Sequence, residues 1–300
     1  MKKVVSIISS LALTVGMAAS LSANAADSAA PEVYFKAKEA KGVEILAGGS
    51  VYVNKKAADA NGAVISAEVY LKDPNAAAGW VVVRWASEKA GLSLQNIKEP
   101  ATKPYANYTN EEIVSAKDKT DGVKVLSAMY FDDKVPSDGK GLQPMKLTGE
   151  KSDSYPLASF EAAVDKSAAG SYDISIYNKN QSFTYVTYRT ESSPEYAPDN
   201  EKNKLICSDL HVNVSDRLLG DVNGDGNINA VDASAILSAY ANIATSNPTG
   251  LSDEAMAAAD VDGNSKLNAV DASNVLSFYA FQSTTTTDKD KTLNSYIQKR

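Results

Sequence analysis

The pattern of apolar and polar positions divides the chain in two. Residues 31–214 carry short runs rich in Val, Ile, Tyr and Phe, residue types that fit a pleated, half-buried surface. The runs predict strands over Val33–Ala37, Gly49–Val53, Ala63–Leu71, Trp80–Trp85, Leu92–Ile97, Lys124–Phe131, Met145–Lys151, Leu157–Val164, Tyr172–Tyr177, Phe183–Arg189 and Leu205–Val214. Some are apolar on both faces, with Val81, Val83 and Trp85 on one side and Trp80 and Val82 on the other. Turn signals separate them at Asp73-Pro74-Asn75, Asp138-Gly139-Lys140, Ala169-Gly170 and Asn178-Lys179-Asn180. Ser193–Lys204, with two prolines and several charges, reads as a surface loop. Many short strands and no long amphipathic helix predict an all-β sandwich of jelly-roll type. Core packing is the expected role for at least half of Trp80, Trp85, Tyr130 and Phe160.

Beyond Gly220 the period changes. Ile236, Leu237 and Tyr240 fall at helical spacing, and so do Val275, Leu276 and Tyr279. Each set follows a twelve-residue loop. The first, Asp221 to Asp232, reads DVNGDGNINAVD, and the second, Asp260 to Asp271, reads DVDGNSKLNAVD. The offset is 260 − 221 = 39 residues and holds through the following helices. A repeat at fixed offset is far more specific than one motif match. Oxygen-bearing side chains occupy loop positions 1, 3, 5, 9 and 12. In the first loop these are Asp221, Asn223, Asp225, Asn229 and Asp232, and in the second Asp260, Asp262, Asn264, Asn268 and Asp271. Asn227 and Lys266 at position 7 would offer only backbone carbonyls. Ca²⁺ takes six to eight oxygens, and a loop of this length wraps them around it, so two Ca²⁺ ions are expected. Asn, Asp and Gly also favour metal-free turns, but two copies in one register favour the ion. Ile228 and Leu267 should pack beneath the loops. Gly226 suits the sharp turn at position 6, where Ser265 in the second copy should be strained.

These residues resemble a type I-like dockerin, the calcium-dependent module that plugs proteins into the cohesins of cellulosome-type complexes. The resemblance rests on Asp at position 12, one helix after each loop with none before the first, and the duplication, and it covers 219–282. It implies a scaffoldin cohesin as partner, contacted through Ala230, Val231, Leu237 and Ser238 or through Ala269, Val270, Leu276 and Ser277. The near identity of the copies implies that either face docks. Between the halves, Ser252 should cap a short helix through Asp253, Glu254 and Met256. The tail, 283–300, is expected to be mobile apart from a helical turn near Tyr296.

The N-terminal region resembles a cohesin over about residues 45–214. The resemblance rests on the strand order across Val64–Ile97, then SAMYFDD from Ser127 to Asp133, LASFEAAV from Leu157 to Val164, and AAGSYDI from Ala168 to Ile174. Lys98–Val123 would be an insertion. The implied docking strand carries Ser127, Tyr130, Asp132 and Asp133. A cohesin-like sandwich beside a dockerin implies an adaptor scaffoldin that recruits a dockerin-bearing protein. Only Ser215–Gly220 separates the two, so they should sit close together.

Composition narrows the alternatives. Met1-Lys2-Lys3, an apolar run to about Ala19 and Ala23-Asn24-Ala25 predict a secretory signal peptide over 1–25. The expected address is secreted, in an extracellular or cell-surface complex, without membrane insertion. The net charge of −7 becomes −9 without Lys2 and Lys3, which argues against nucleic acid and anionic membranes. The one cysteine, Cys207, excludes an internal disulfide and reads as a small buried hydrophobe. The one histidine, His211, excludes multi-histidine zinc sites. No nucleophile motif or phosphate loop appears, so the protein is expected not to be an enzyme. Two alternatives stay open: a carbohydrate-binding sandwich using Tyr105 and Tyr108 near Asn107 and Asn110, for a polysaccharide, or a glycoside hydrolase with a pair such as Asp132 and Glu161.

Overall fold

The computed structural model describes residues 30–58, 62–73, 78–100, 107–113, 123–131, 154–179, 184–188, 195–288 and 290–300. The expected signal peptide, the strand at 145–151, Tyr105, Asp132 and Asp133 lie outside these residues.

Fourteen strands are described: β1 (Glu32–Ala37), β2 (Val43–Ile45), β3 (Val51–Asn54), β4 (Val64–Lys72), β5 (Ala78–Ala86), β6 (Leu92–Lys98), β7 (Asn107–Ile113), β8 (Val125–Phe131), β9 (Ser154–Val164), β10 (Gly170–Ile176), β11 (Tyr185–Tyr188), β12 (Glu195–Tyr196), β13 (Ile206–Cys207) and β14 (Leu210–Ser215). One sheet runs β13-β1-β4-β9-β6. The other runs β12-β11-β5-β10-β14-β3-β2, with β8 on the far edge of β5 and β7 beyond it. Val33, Ile65, Val69 and Phe160 of the first sheet and Val81, Val83, Trp85, Leu126 and Val212 of the second share one buried core. Trp85 and Phe160 meet with ring centroids 5.4 Å apart. Period-two alternation governs β4, where Ile65, Ala67, Val69 and Leu71 turn inward.

Most expected strands are present, and four readings need correction. Leu205–Val214 is two strands, because the chain turns at Ser208-Asp209 and passes from one sheet to the other. The expected insertion contains β7, paired along its length with β8. Ser193–Lys204 includes the short strand β12, which pairs with β11 and buries Tyr196. Cys207 is half-buried rather than buried, since β13 lies at a sheet edge.

Four helices follow: α1 (Ala230–Ala244), α2 (Asp253–Ala259), α3 (Ala269–Thr284) and α4 (Leu293–Ile297). Ser252 caps α2 by accepting from the Ala255 amide, as expected. Ala233, Ile236, Ala258, Val261, Ala272, Val275 and Phe278 form a second core. The tail is not the free segment its composition suggests. Leu293 is buried, and Tyr296 packs against Phe278 and Phe281 with centroids 5.6 and 5.1 Å away. Among the described residues, no helix is long and apolar enough to cross a membrane.

The sandwich enters the second core. β3 turns Val51 and Val53 into the sandwich and Tyr52 outward, where Tyr52 and Leu46 join the helical core. α2 lies across β14 and β10. Its Ala255, Ala257, Ala258 and Ala259 are buried, and such small side chains permit close approach to a sheet. At the C-terminal end, the side-chain amides of Asn294 and Gln298 donate to the Ile45 carbonyl oxygen at 3.0 and 2.7 Å. The expected closeness of the two parts is therefore a packed interface.

Candidate metal centre and docking face

Each loop is shaped by its own carboxylates. Asp221 accepts from the amides of Gly224, Asp225 and Gly226 at 2.8, 3.1 and 3.0 Å. Asp260 repeats this with Gly263, Asn264 and Ser265 at 3.1, 3.2 and 3.0 Å. At position 12, Asp232 accepts from Val222, Asn223 and Asn229, and Asp271 from Val261, Asp262 and Asn268. The same two carboxylates close a capping box with Asn229 and Asn268, so the loop end and the helix start are one structure. Ile228 and Leu267 pack beneath the loops on the helical core. At position 6, Gly226 has φ +85° and Ser265 has φ +61°. The serine occupies a left-handed conformation that disfavours any side chain.

The structure brings together three of the sequence-predicted ligands, all in the second loop. One carboxylate oxygen from each of Asp260, Asp262 and Asp271 lies within 4.8 Å of the others. Burial, with the charges of Asp262 and Asp260 adding, pushes the Asp271 carboxyl up to about 7, against the opposing bond from the Asn268 amide. Burial also raises Asp262, with Asp260 adding. Carboxylates gathered this closely repel one another, and their oxygens suit a hard ion. In the first loop Asp225 is exposed, and hydrogen bonds from the Asn223 side chain and the Asn227 amide hold it below the usual carboxylate range. Asn229 and Asn268 stand apart, because their oxygens accept from the Val231 and Val270 amides as helix caps. Lys266 is exposed, and its carbonyl oxygen accepts from the Asn268 side chain.

The outer faces of α1 and α3 form the second feature. Ile236 and Val275 are buried, whereas their neighbours Leu237 and Leu276 are 43% and 42% exposed. Val231, Tyr240 and Ile243 on α1, and Val270 and Tyr279 on α3, are exposed too. Of the ten large hydrophobic side chains most exposed among the described residues, seven lie on these two helices. Ala230, Ala269 and Ser238 are also exposed, and Ser277 is half-buried. Apolar groups concentrated this way are a candidate interaction surface.

Residues 219–277 match the dockerin type I domain family. The two loops and α1, α2 and most of α3, which make up the dockerin module, fall inside that match. No curated protein matches the chain. Solved structures similar to it include the seventh ScaB type I cohesin of Pseudobacteroides cellulosolvens, at 12% identity and TM-score 0.37, covering 62% of this chain and 92% of that one. Another is the sixth cohesin of scaffoldin B from Acetivibrio cellulolyticus, solved with a mutant Cel5 dockerin, at 11% identity and TM-score 0.37, covering 62% and 100%. A third is a non-cellulosomal cohesin from Archaeoglobus fulgidus, at 10% identity and TM-score 0.32, covering 62% and 91%.

The expected docking strand of the sandwich needs correction. Ser127 and Tyr130 in β8 are fully buried, and the Tyr130 hydroxyl donates to the Leu157 carbonyl oxygen inside the core. Glu161 is engaged by the Asn96 side chain at 2.6 Å. Tyr108 lies in β7. Three residues that touch the loops escaped the sequence. The Arg217 guanidinium donates to the Val222 carbonyl oxygen, the Gly48 amide to that of Asp262, and the Asn213 side chain to the Asp260 carboxylate. Gly48-Gly49 signals a turn in the sequence, but nothing local signals what that turn meets.

Proposed function

We propose that this protein is a non-catalytic assembly component of a secreted, cellulosome-type complex. Its dockerin module docks into a scaffoldin cohesin in a calcium-dependent manner. The observation that carries this is the pairing of two repeat-related Asp/Asn loops, the second of which gathers three carboxylates, with two apolar helix faces open to solvent. The first ion would be held by Asp221, Asn223, Asp225, the Asn227 carbonyl and Asp232, and the second by Asp260, Asp262, Asn264, the Lys266 carbonyl and Asp271. Asn229 and Asn268 would contribute through water at position 9. Bound calcium neutralises the clustered carboxylates. The chain's own part is to fix the entry of α1 and α3 through Asp232 and Asp271, which join each loop to its helix. Val231, Leu237 and Tyr240, or Val270, Leu276 and Tyr279, would then meet the cohesin, with Ala230, Ser238, Ala269 and Ser277 beside them.

The sandwich is read as cohesin-like, recruiting a dockerin-bearing protein. Its two-sheet fold and the successive strands β9 and β10, one in each sheet, which carry LASFEAAV and GSYDI, support that reading. The carbohydrate alternative has less support. Tyr34 and Tyr70 stack at 5.4 Å on the outer face of the five-stranded sheet, but they cover one another, and the Lys36 ammonium sits 4.3 Å from the Tyr70 ring centre. Sugar stacking needs free ring faces.

The test is calorimetric titration of the whole chain with a panel of cohesins and, separately, of dockerins and soluble polysaccharides, in calcium and in chelator. Calcium-dependent cohesin binding is expected. Cohesin binding that persists in chelator, or none in calcium, would contradict the docking role. Polysaccharide binding without dockerin binding would overturn the cohesin-like reading.

A further inference from the structure

The two calcium loops are alike in sequence but unequal in surroundings. In the first, Asn223, Gly224 and Asp225 face solvent. In the second, Gly263 is buried and Asp262 and Asn264 are half-buried, because the sandwich covers them. The cover is the turn between β2 and β3 together with the outward face of β14.

Three contacts make the cover specific. The Gly48 amide donates to the Asp262 carbonyl oxygen at 2.7 Å. The Asn213 side chain accepts from the Ser171 hydroxyl at 2.7 Å and so presents its amide to Asp260 Oδ2, at 3.4 Å. Third, the backbones of Gly48 and Gly263 touch: a Cβ on Gly48 would stand 2.5 Å from the Gly263 carbonyl oxygen, and one on Gly263 2.4 Å from the Ser50 hydroxyl. Gly48 is thus required for close approach. Asn213 is 5% exposed and points away from the sandwich core, on a strand whose Val212 and Val214 point into it. No hydrogen bond of this kind joins a sandwich residue to the first loop among the described residues, where Arg217 of the connecting segment makes the contact instead.

We propose that the sandwich is a working part of the second calcium site. Asn213 and Gly48 act as positioning residues for Asp260 and Asp262, so calcium at the second loop and closure of the interface strengthen each other, while the first loop binds independently. The proposal rests on the calcium reading of the loops. Groups that orient metal ligands typically alter affinity about 10- to 100-fold when removed. Linkage requires reciprocity: if the closed interface favours the ion, the ion favours the closed interface.

The test uses the whole chain and two silencing backgrounds. Asp225→Ala removes an exposed ligand of the first loop and leaves the second to be titrated alone. Asp262→Ala does the reverse. With Asp225→Ala, adding Asn213→Ala is expected to weaken calcium binding about tenfold. Gly48→Ala, which wedges the two backbones apart, is expected to do the same. With Asp262→Ala, neither should change the remaining affinity. Hydrogen exchange supplies a second readout: calcium should slow the Gly48 amide in the unmodified chain and in Asp225→Ala, but not in Asp262→Ala. Unchanged second-loop affinity in both Asn213→Ala and Gly48→Ala, or a Gly48 amide indifferent to calcium, overturns the coupling with the calcium reading intact. Absence of any calcium binding by the Asp225→Ala chain overturns both. Cohesin binding is measured separately and decides neither.

Discussion

The hydroxyl of Tyr52, on the outward face of a sandwich strand, donates to the carbonyl oxygen of Arg217 at 2.9 Å, and its ring lies in the core of the helical module. One side chain thus belongs to the backbone of one part and the interior of the other. Burial raises its phenol, which stays protonated and donating through the physiological range.

Replacing Tyr52 should show how far the two parts fold together. Tyr52→Phe keeps the ring and loses one hydrogen bond, a cost of about 1 kcal/mol. Tyr52→Ala opens a cavity in the helical core and should cost about 3–5 kcal/mol. Denaturant unfolding of the whole chain is expected to give one transition for the native protein and two for Tyr52→Ala. A loss below about 1 kcal/mol for Tyr52→Ala would show that the ring does not join the cores.

Ser265 predicts the opposite sign. A left-handed non-glycine residue carries a cost of roughly 1–2 kcal/mol, and Gly226 occupies the equivalent place with φ +85°. Ser265→Gly is therefore expected to raise stability by about 1 kcal/mol and to tighten calcium at the second loop. An unchanged or lower melting temperature in calcium would mean that Ser265 is unstrained.

Cys207 should be inert in the folded protein. Burial, with Asp209 adding, pushes its thiol up to about 12. The folded value lies above the unfolded one, so any stability linked to this group is complete below pH 9 or so and is lost as pH rises toward 12. The thiolate is the reactive form. Alkylation by iodoacetamide at pH 8 should be slow in the native chain and fast in denaturant. Equal rates in both would place the sulfur in open solvent.

The sequence reveals most about what repeats or alternates. The 39-residue offset locates both loops and both helices, because loop geometry is local: Asp221 and Asp232 bond to amides within twelve residues of themselves. Period-two runs locate β4 and β9 for the same reason, and a continuous apolar run locates β5. The sequence says least about what one part does to the other. Leu237 and Ile236 are equally apolar, and only the fold makes one exposed and the other buried. Ser127 reads as an exposed strand residue but is covered. The tail from 290 to 300 looks polar, yet Leu293 and Tyr296 find the helical core, and Asn294 finds a carbonyl almost the whole chain away. Such partners depend on tertiary packing that no local pattern records.

Docking is expected to run through the outer faces of α1 and α3 and to need calcium. The most direct measurement is calorimetry of one bound cohesin with three variants: Val231→Asp with Leu237→Asp, Val270→Asp with Leu276→Asp, and all four together. A buried charge without a partner is costly at an interface. If either face docks, each pair should retain binding within a few-fold, while the fourfold variant loses it by more than about a hundredfold. Each variant should keep its two-site calcium isotherm. Native-strength cohesin binding by the fourfold variant in calcium would contradict that expectation and place the docking surface elsewhere on the chain.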